Sequence, residues 1–260
     1  MLPTVDFCGL TVTRLIMGAN PYGGFSHQSK ERNEEMLAYH TPERIKETIE
    51  RAEAAGINTQ ITNNTSENVS EGLRLYFEAG GGIQWIGQIS SAKHDSMFAA
   101  IDDAMKFNAK AMYTHGRQTE DMYHTKDADQ LKSWMDHIRS HGIPAGVAAH
   151  GAEVHRWVYE LGVADFHVVC FFRCGSLHTG EGLKFKLRDM AAAVECIQEI
   201  DKPCIGYKIM GAGRIDPHMA FEYAFESIKP TDVVNVGMHR GDKDDVIEEN
   251  VALVEEILGA

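Results

Sequence analysis

The sequence predicts an α/β protein of the (β/α)₈ barrel class, preceded by a short β-hairpin. The first observation is length, since 260 residues is about the usual size of one closed barrel of eight strands. The second is an alternation of short apolar runs with longer amphipathic stretches, which is typical of repeated βα units around a parallel sheet. The third is that this alternation yields eight strand candidates, the number that a closed barrel requires.

The eight predicted strands are short and mostly apolar. They cover residues 14–19, 57–62, 84–90, 110–115, 144–149, 165–171, 204–209 and 232–237. Residues 1–13 come before them and predict a hairpin that closes the floor of the barrel. Longer connections follow the first and sixth strands, at 20–40 and 172–185, and we expect both on the functional rim.

Two of the intervening helices carry clear start signals. Thr41 followed by Pro42 predicts an N-cap with proline at the first helical position, and Gly56 predicts the end of that helix. Asp216 followed by Pro217 repeats the start signal. No linker, repeat array or low-complexity tract divides the chain, so residues 1–260 are predicted to form a single domain.

Composition excludes several classes of function. The formal net charge is −13, and no basic run is interleaved with aromatic residues, so we do not expect a nucleic-acid partner. No stretch reaches the ~20 apolar residues of a membrane helix, and the first residues lack the pattern of a secretory signal. We therefore expect a cytoplasmic protein with reduced, mostly buried cysteines and no membrane partner, and leave open a homo-oligomer.

A resemblance to the aldo-keto reductases emerges from the last third of the chain. The segments CIGYKIMGAGRI and VVNVGMHRGDKDDVIEENVALVEEI are similar to the seventh and eighth βα units of that family. CGLTVTRLIMGANPYGG and AGINTQIT are similar to its first and second strands. The resemblance implies a barrel fold and NAD(P)H as cofactor. It also implies a cofactor-binding role for Gly237, Glu249 and Asn250.

The reductase catalytic set is largely missing. The family's Asp falls on Ile61, its Tyr near Ser66 and its Lys on Gln88, whereas His115 stands where the family has its active-site His. Serine and glutamine cannot replace a tyrosine proton donor assisted by lysine, because neither titrates in the required range. The Ser-Asn pair that clamps the nicotinamide amide falls on Ala148 and Ala149. We therefore expect weakened NAD(P)H binding and no ordinary carbonyl reduction.

The ends of the predicted strands are rich in polar residues, which is where barrel enzymes place their reacting groups. Amide side chains offer both donors and acceptors to sugar hydroxyls, so a small sugar-like substrate is predicted. The candidate substrate-binding residues are Asn20, Tyr22, Asn63, Gln88, Arg173, Tyr207 and Arg214. Each amide could instead cap a helix or form hydrogen bonds within a loop.

His115, His150 and Lys208 are the candidate catalytic residues. The two histidines end neighbouring predicted strands, so they could act together in acid–base chemistry or ligate a divalent metal. Glu67, Glu120 and Glu153 are the carboxylates that could reach them from loops. Lys208 could serve as a Schiff-base nucleophile, a general base or an anchor for an oxyanion, provided the strand ends before it.

Three functions remain open from the sequence. The preferred one is a non-redox enzyme, a lyase, isomerase or epimerase, acting on a sugar or sugar-derived carbonyl compound. The second is an NAD(P)H-dependent oxidoreductase with an altered proton donor. The third is a barrel that binds a ligand without catalysis. Fold alone does not distinguish them.

Overall fold

The fold is a closed barrel of eight parallel strands wrapped by helices. The computed structural model describes residues 1–173 and 185–260. In chain order the barrel strands are β3 (Leu15–Gly18), β4 (Thr59–Asn63), β5 (Gln84–Ile89), β6 (Ala111–Thr114), β7 (Ala145–Ala149), β8 (Phe166–Cys170), β9 (Cys204–Tyr207) and β10 (Val233–Gly237). β10 pairs with β3 and closes the barrel, with Val234 opposite Leu15. All eight predicted strands are confirmed.

A two-stranded hairpin precedes the barrel, as predicted. It consists of β1 (Thr4–Phe7) and β2 (Leu10–Thr13), which pair antiparallel. Phe7 at its turn is fully buried and packs edge-on against Phe166, with ring centroids 5.2 Å apart. Phe7 shares a cluster with the residues that fill the barrel, so the hairpin contributes to the barrel core.

The helices surround the strands. Within the described residues they are α1 (Lys30–Tyr39), α2 (Pro42–Ala54), α3 (Glu67–Glu78), α4 (Met97–Ala104), α5 (Gly116–Thr125), α6 (Ala128–Ser140), α7 (Ala152–Leu161), α8 (Leu187–Glu199), α9 (Pro217–Ser227) and α10 (Val246–Leu258), with 3₁₀ turns at Pro21–Gly23 and Met105–Phe107. Their buried faces pack on the outer faces of the strands in one large apolar cluster. No described helix has the length and apolar character needed to cross a membrane.

Both predicted helix starts are confirmed. The Thr41 side chain accepts a hydrogen bond from the Arg44 amide, and Asp216 accepts one from the Met219 amide. The connection at 20–40 differs from expectation, because its second half is the helix α1. Ser29 caps α1 by accepting from the Arg32 amide at 3.1 Å. Few residues of α1 are buried, so the sequence carries no apolar stripe that would have predicted it.

The second long connection, predicted at 172–185, lies mostly outside the described residues, as does Cys174. The four other cysteines are free thiols. Burial raises the pKa of the Cys8 thiol to about 12 and that of Cys196 to about 11, so both are protonated. This agrees with reduced, mostly buried cysteines.

Candidate active site

The candidate site lies at the face of the barrel where the strands end, which we call the mouth. Residues that point into the barrel alternate along each strand with residues that face the helices. Ile61, Tyr113, Ala148 and Val168 belong to the interior cluster. Continuing the alternation by one more inward position brings His115 and His150 to the mouth.

His150 and Glu120 form the most strongly connected polar pair at the mouth. Glu120 projects from α5, and its Oε1 accepts hydrogen bonds from the His150 backbone amide at 2.8 Å and from His150 Nδ1 at 3.0 Å. Burial alone would raise the pKa of Glu120, but the hydrogen bonds from His150, with the charge of Arg173 and the charge that His150 carries when protonated, hold it at about 2. The carboxylate fixes the proton on Nδ1, which leaves Nε2 of His150 as a basic nitrogen.

The surroundings of His115 favour the tautomer opposite to that of His150. It is the N-cap of α5, and its Nδ1 accepts a hydrogen bond from the Arg117 amide at 3.2 Å. Burial, together with the charge of Lys208 and the charge that His150 carries when protonated, lowers the pKa of His115 to about 4. His115 is therefore neutral at pH 7 and carries its proton on Nε2. A neutral imidazole of this kind can donate a hydrogen bond to a carbonyl oxygen.

Lys208 lies at the mouth because β9 ends one residue before it. Its backbone is in the left-handed region, with φ of +59°, a conformation that costs a non-glycine residue about 1–3 kcal/mol. Its Nζ lies 5.4 Å from the centroid of the Tyr207 ring, and its charge acts on both His115 and Cys170. Because Lys208 lies beyond the end of β9 and has a left-handed backbone, the alternation along the strand does not force its side chain outward.

Two tyrosines line the barrel below these groups. Tyr113 accepts a hydrogen bond on its hydroxyl from Gln88 Nε2 at 3.2 Å. The Tyr207 hydroxyl lies 3.5 Å from the Ala149 carbonyl, and its ring centroid is 6.5 Å from that of His150. Burial raises the pKa of both tyrosines, so both are neutral hydrogen-bonding groups. Gln88 and Tyr207, predicted to bind substrate, thus lie in one connected region with the histidines.

The asparagine side chains near the strand ends differ in whether they are free to contact a ligand. Asn20 is exposed beside Gly237 at the mouth. Asn63 is committed to its own turn, because its Oδ1 accepts from the amides of Thr65 and Ser66 at 2.9 and 3.0 Å. Asn235 is an amide that the sequence analysis missed. Its Oδ1 is buried and has no hydrogen-bond partner among the described residues, and the inward alternation in VVNVG is the signal that could have found it.

Tyr22 does not reach the mouth. It is fully buried in the layer between barrel and helices, with its ring centroid 4.9 Å from that of His40. Arg214 is occupied in holding loops together, because its guanidinium stacks on Phe185 and donates to the Gly211 and His27 carbonyls at 3.2 and 3.4 Å. These placements do not support direct contact between Tyr22 and a ligand, and they give Arg214 a role in loop structure.

Arg173 stands beside a small cleft next to His150. The cleft has a volume of about 90 Å³ and is lined in part by His150, Glu153, Cys170 and Arg173. Arg173 is about half exposed, and within residues 1–173 and 185–260 its ion-pair partner is Glu153, with a carboxylate oxygen 3.9 Å away. A partly exposed guanidinium at the edge of a cleft remains available to an anionic or hydroxyl group of a ligand.

The three predicted cofactor residues are dispersed. Gly237 ends β10, and an added Cβ would lie 2.8 Å from Pro21. Glu249 is exposed on α10 and pairs with Lys243, whereas Asn250 is 4% exposed. Asn250 is therefore covered by protein, and Glu249 already has a cationic partner. Their role toward a nicotinamide cofactor stays a prediction.

Three residues stand at the positions that the resemblance assigns to the reductase catalytic groups. Ile61 is 4% exposed inside the barrel, Ser66 precedes α3, and Gln88 pairs with Tyr113. A divalent metal at the mouth stays a prediction. Within residues 1–173 and 185–260, the groups of three ligand atoms close enough to share an ion are Asp102 with His137 and His141, and Glu35 with His239 and Asp242. Neither contains a mouth histidine.

Comparisons with known proteins give the fold. No protein-family model and no curated protein matches the sequence. Among solved structures, a protein from Pseudomonas aeruginosa described as an aldo-keto reductase has a TM-score of 0.67 at 14% identity, covering 98% of this chain and 94% of that one. A glycerol dehydrogenase from Gluconobacter oxydans has a TM-score of 0.60 at 12% identity, with 98% and 95% covered.

A barrel of another activity is also similar. The N-acetylmannosamine-6-phosphate 2-epimerase from Clostridium perfringens has a TM-score of 0.57 at 14% identity, with 89% of this chain and 90% of that chain covered. At these identities the likeness concerns the fold alone, which is a closed (β/α)₈ barrel.

Proposed function

We propose that this protein is a non-redox enzyme that moves a proton next to the carbonyl group of a small, sugar-like substrate. The observation that carries the proposal is the pairing of an oriented base with a neutral donor. Glu120 fixes the tautomer of His150, while the helix amide fixes the opposite tautomer of His115. A base and a neutral electrophile are the two groups that enolisation requires.

In the proposed reaction His150 Nε2 removes the proton from the carbon beside the carbonyl. The electron pair of that C–H bond forms a C=C bond, and negative charge moves to the carbonyl oxygen. His115 Nε2–H donates to this oxygen, and the Lys208 ammonium stabilises its charge. Glu120 stabilises the imidazolium that forms on His150.

The fate of the enolate defines the three reaction types. Delivery of a proton to the opposite face of the same carbon gives an epimerase. Delivery of a proton to the former carbonyl carbon, with transfer of the adjacent hydroxyl proton to the enolate oxygen, gives an isomerase. Expulsion of a leaving group from the next carbon gives a lyase. Gln88, Asn20 and Asn235, whose Oδ1 has no hydrogen-bond partner among the described residues, are suited to hydroxyl groups of the substrate. The similarity to an epimerase barrel is compatible with this chemistry. The similarity to reductase barrels supports the main alternative, an NAD(P)H-dependent oxidoreductase.

The direct test is hydrogen exchange at carbon. The protein is incubated in D₂O with a panel of aldoses, ketoses and sugar acids, and loss of the proton signal beside the carbonyl is followed by NMR. We expect exchange, and expect it to fall by at least about 100-fold in His150→Asn, which matches the 10²–10⁴-fold contribution of a general base. Asparagine retains a donor in place of Nδ1 for Glu120 and lacks the basic Nε2.

His124→Asn is the matched control, because His124 is an exposed histidine in the last turn of the same helix as Glu120. It should exchange at the wild-type rate. Absence of exchange over the whole panel, together with sustained NADPH oxidation on small carbonyl compounds, would replace this proposal with the oxidoreductase. Micromolar NADPH affinity by calorimetry would point the same way. Sugar binding without exchange or turnover would favour the ligand-binding barrel.

A further inference from the structure

Three ligating side chains converge between α4 and α6. His137 and His141 are four residues apart at the end of α6, so their rings project from the same side of that helix. Asp102 projects from α4, and its Oδ1 lies 2.7 Å from His137 Nε2 and 3.0 Å from His141 Nε2. One carboxylate oxygen therefore has two imidazole nitrogens as immediate neighbours.

We propose that Asp102, His137 and His141 bind one divalent d-block ion of the zinc type. The three ligand atoms all lie within 4.8 Å of one another. In a tetrahedral zinc site, bonds of about 2.0–2.1 Å place neighbouring ligand atoms about 3.3 Å apart. The observed separations of 2.7 and 3.0 Å from Asp102 to the two nitrogens need only small side-chain rotations to reach this value.

The donor set determines the class of ion. Two imidazole nitrogens with one carboxylate oxygen suit zinc and its d-block neighbours, whereas Mg²⁺ and Ca²⁺ prefer sites made of oxygen ligands. Three protein ligands leave a fourth position for water or an added ligand. The exposed Asp102 carboxylate makes this position accessible, since its side chain is 56% exposed while the two imidazoles are 27–28% exposed.

The surroundings hold the rings in place. The Phe98 ring, one turn before Asp102 on α4, packs edge-on against His137 with centroids 5.1 Å apart and planes at 90°. Within the described part of the chain, the ion-pair partners of Asp102 are these two histidines and no lysine or arginine. By contrast, Glu35 and Asp242 of the other three-residue group both pair with Arg32, whose charge would oppose a cation.

The proposed metal site is remote from the chemistry of the mouth. His141 is the C-cap of α6, and the chain enters β7 four residues later at Ala145. The beginnings of the strands lie at the end of the barrel opposite the mouth, where residues contribute to stability rather than catalysis. A bound ion would join α4 to α6 across residues 35 and 39 positions apart in sequence. Its expected effect is stabilisation.

The test is zinc binding by tag-free protein that has been dialysed against a chelator. Calorimetry with Zn²⁺ should give one ion per chain, and the melting temperature should rise with Zn²⁺ and not with Mg²⁺. Co²⁺ should give the intense visible bands of tetrahedral coordination. Asp102→Asn, His137→Gln and His141→Gln should each weaken zinc binding by more than about tenfold, the effect that loss of an outer-shell partner alone can have.

His124→Gln, which removes an exposed helical histidine elsewhere, should bind zinc as the wild-type protein does. Asp102→Asn retains an oxygen acceptor for both imidazoles and tests the site without disturbing the helix. Circular dichroism of each variant without metal establishes that it is folded. Failure of the wild-type protein to bind zinc, or equal zinc affinity in the wild-type protein and the three ligand variants, would overturn the proposal.

Discussion

His115 is the N-cap of α5, and Glu120 lies in the second turn of the same helix. His115 is the proposed hydrogen-bond donor to the substrate, and Glu120 orients the proposed base, His150. His115 Nδ1 accepts from the helix amide of Arg117, whereas Glu120 accepts from His150, which directly follows the next strand, β7. One short helix therefore fixes the tautomers of two imidazoles. The positions of both groups depend on where α5 begins.

The two roles of His115 can be separated by substitution. His115→Ala removes the N-cap acceptor and should cost about 0.5–2 kcal/mol of stability, whereas asparagine is a strong N-cap and should restore most of it. Both variants lose the imidazole Nε2–H and should exchange substrate protons at least about tenfold more slowly. Thermal melting and the NMR exchange assay measure the two effects. A lowered melting temperature with unchanged exchange in His115→Ala would make His115 purely structural.

Lys208→Gly should lower activity without lowering stability. Glycine adopts the left-handed conformation without strain, which recovers about 1–2 kcal/mol, while its greater freedom in the unfolded chain costs about 0.4–1 kcal/mol. We expect the melting temperature to be unchanged or raised, and proton exchange to fall at least about tenfold because the ammonium is lost. Ala212→Gly is the matched control, since Ala212 has φ of +58° in the following turn. It should gain similar stability at wild-type activity; equal activity of Lys208→Gly would contradict a role for the amine.

Gly116→Ala tests the placement of the His150 ring. A Cβ at this position would lie 3.2 Å from His150 Cε1 and 3.3 Å from its Nδ1, so the ring must move by a few tenths of an ångström. Gly116 is the first residue of α5 and is not among the glycines with positive φ, so its backbone accepts alanine and the variant should remain folded. Exchange should nevertheless fall by about tenfold to 100-fold, because base catalysis is sensitive to small misplacements. Wild-type exchange in a stably folded Gly116→Ala protein would show that the ring position does not matter.

Buried histidines should make the protein sensitive to mild acid. Burial lowers the pKa of His40 to about 3 and that of His155 to about 4, from about 6.5 in the unfolded chain. The unfolded state therefore binds more protons below pH 6.5, and stability should fall as the pH drops from about 6.5 towards 4. Each such histidine can contribute up to about 1.4 kcal/mol per pH unit.

Urea unfolding at several pH values between 7 and 4.5, at constant ionic strength, measures this slope. His40→Gln removes one of the titrating groups and should give a shallower dependence of stability on pH. A stability that is flat over this interval, or a slope that is equal in the variant, would show that these histidines accept protons in the folded state as readily as in the unfolded one.

The sequence by itself determined the barrel and the positions of its strand ends. The alternation of apolar runs is a local property of each βα unit, so eight strands, two capped helices and the strand-end residues His115 and His150 could all be read from neighbouring residues. It also indicated that the reductase groups are replaced at Ile61, Ser66 and Gln88. These features depend on residue type and spacing along the chain.

Only the tertiary structure decided which polar groups act together. Glu120 is 30 residues from His150 in sequence, and sequence placed it among three carboxylates that could reach the mouth. Tyr22 follows a strand as a ligand-binding residue would, yet it is buried against His40, and Asn63 closes its own turn. The reason is physical: the pleat fixes the direction of strand residues locally, whereas loop and helix side chains are placed by long-range packing and by competition among hydrogen-bond partners.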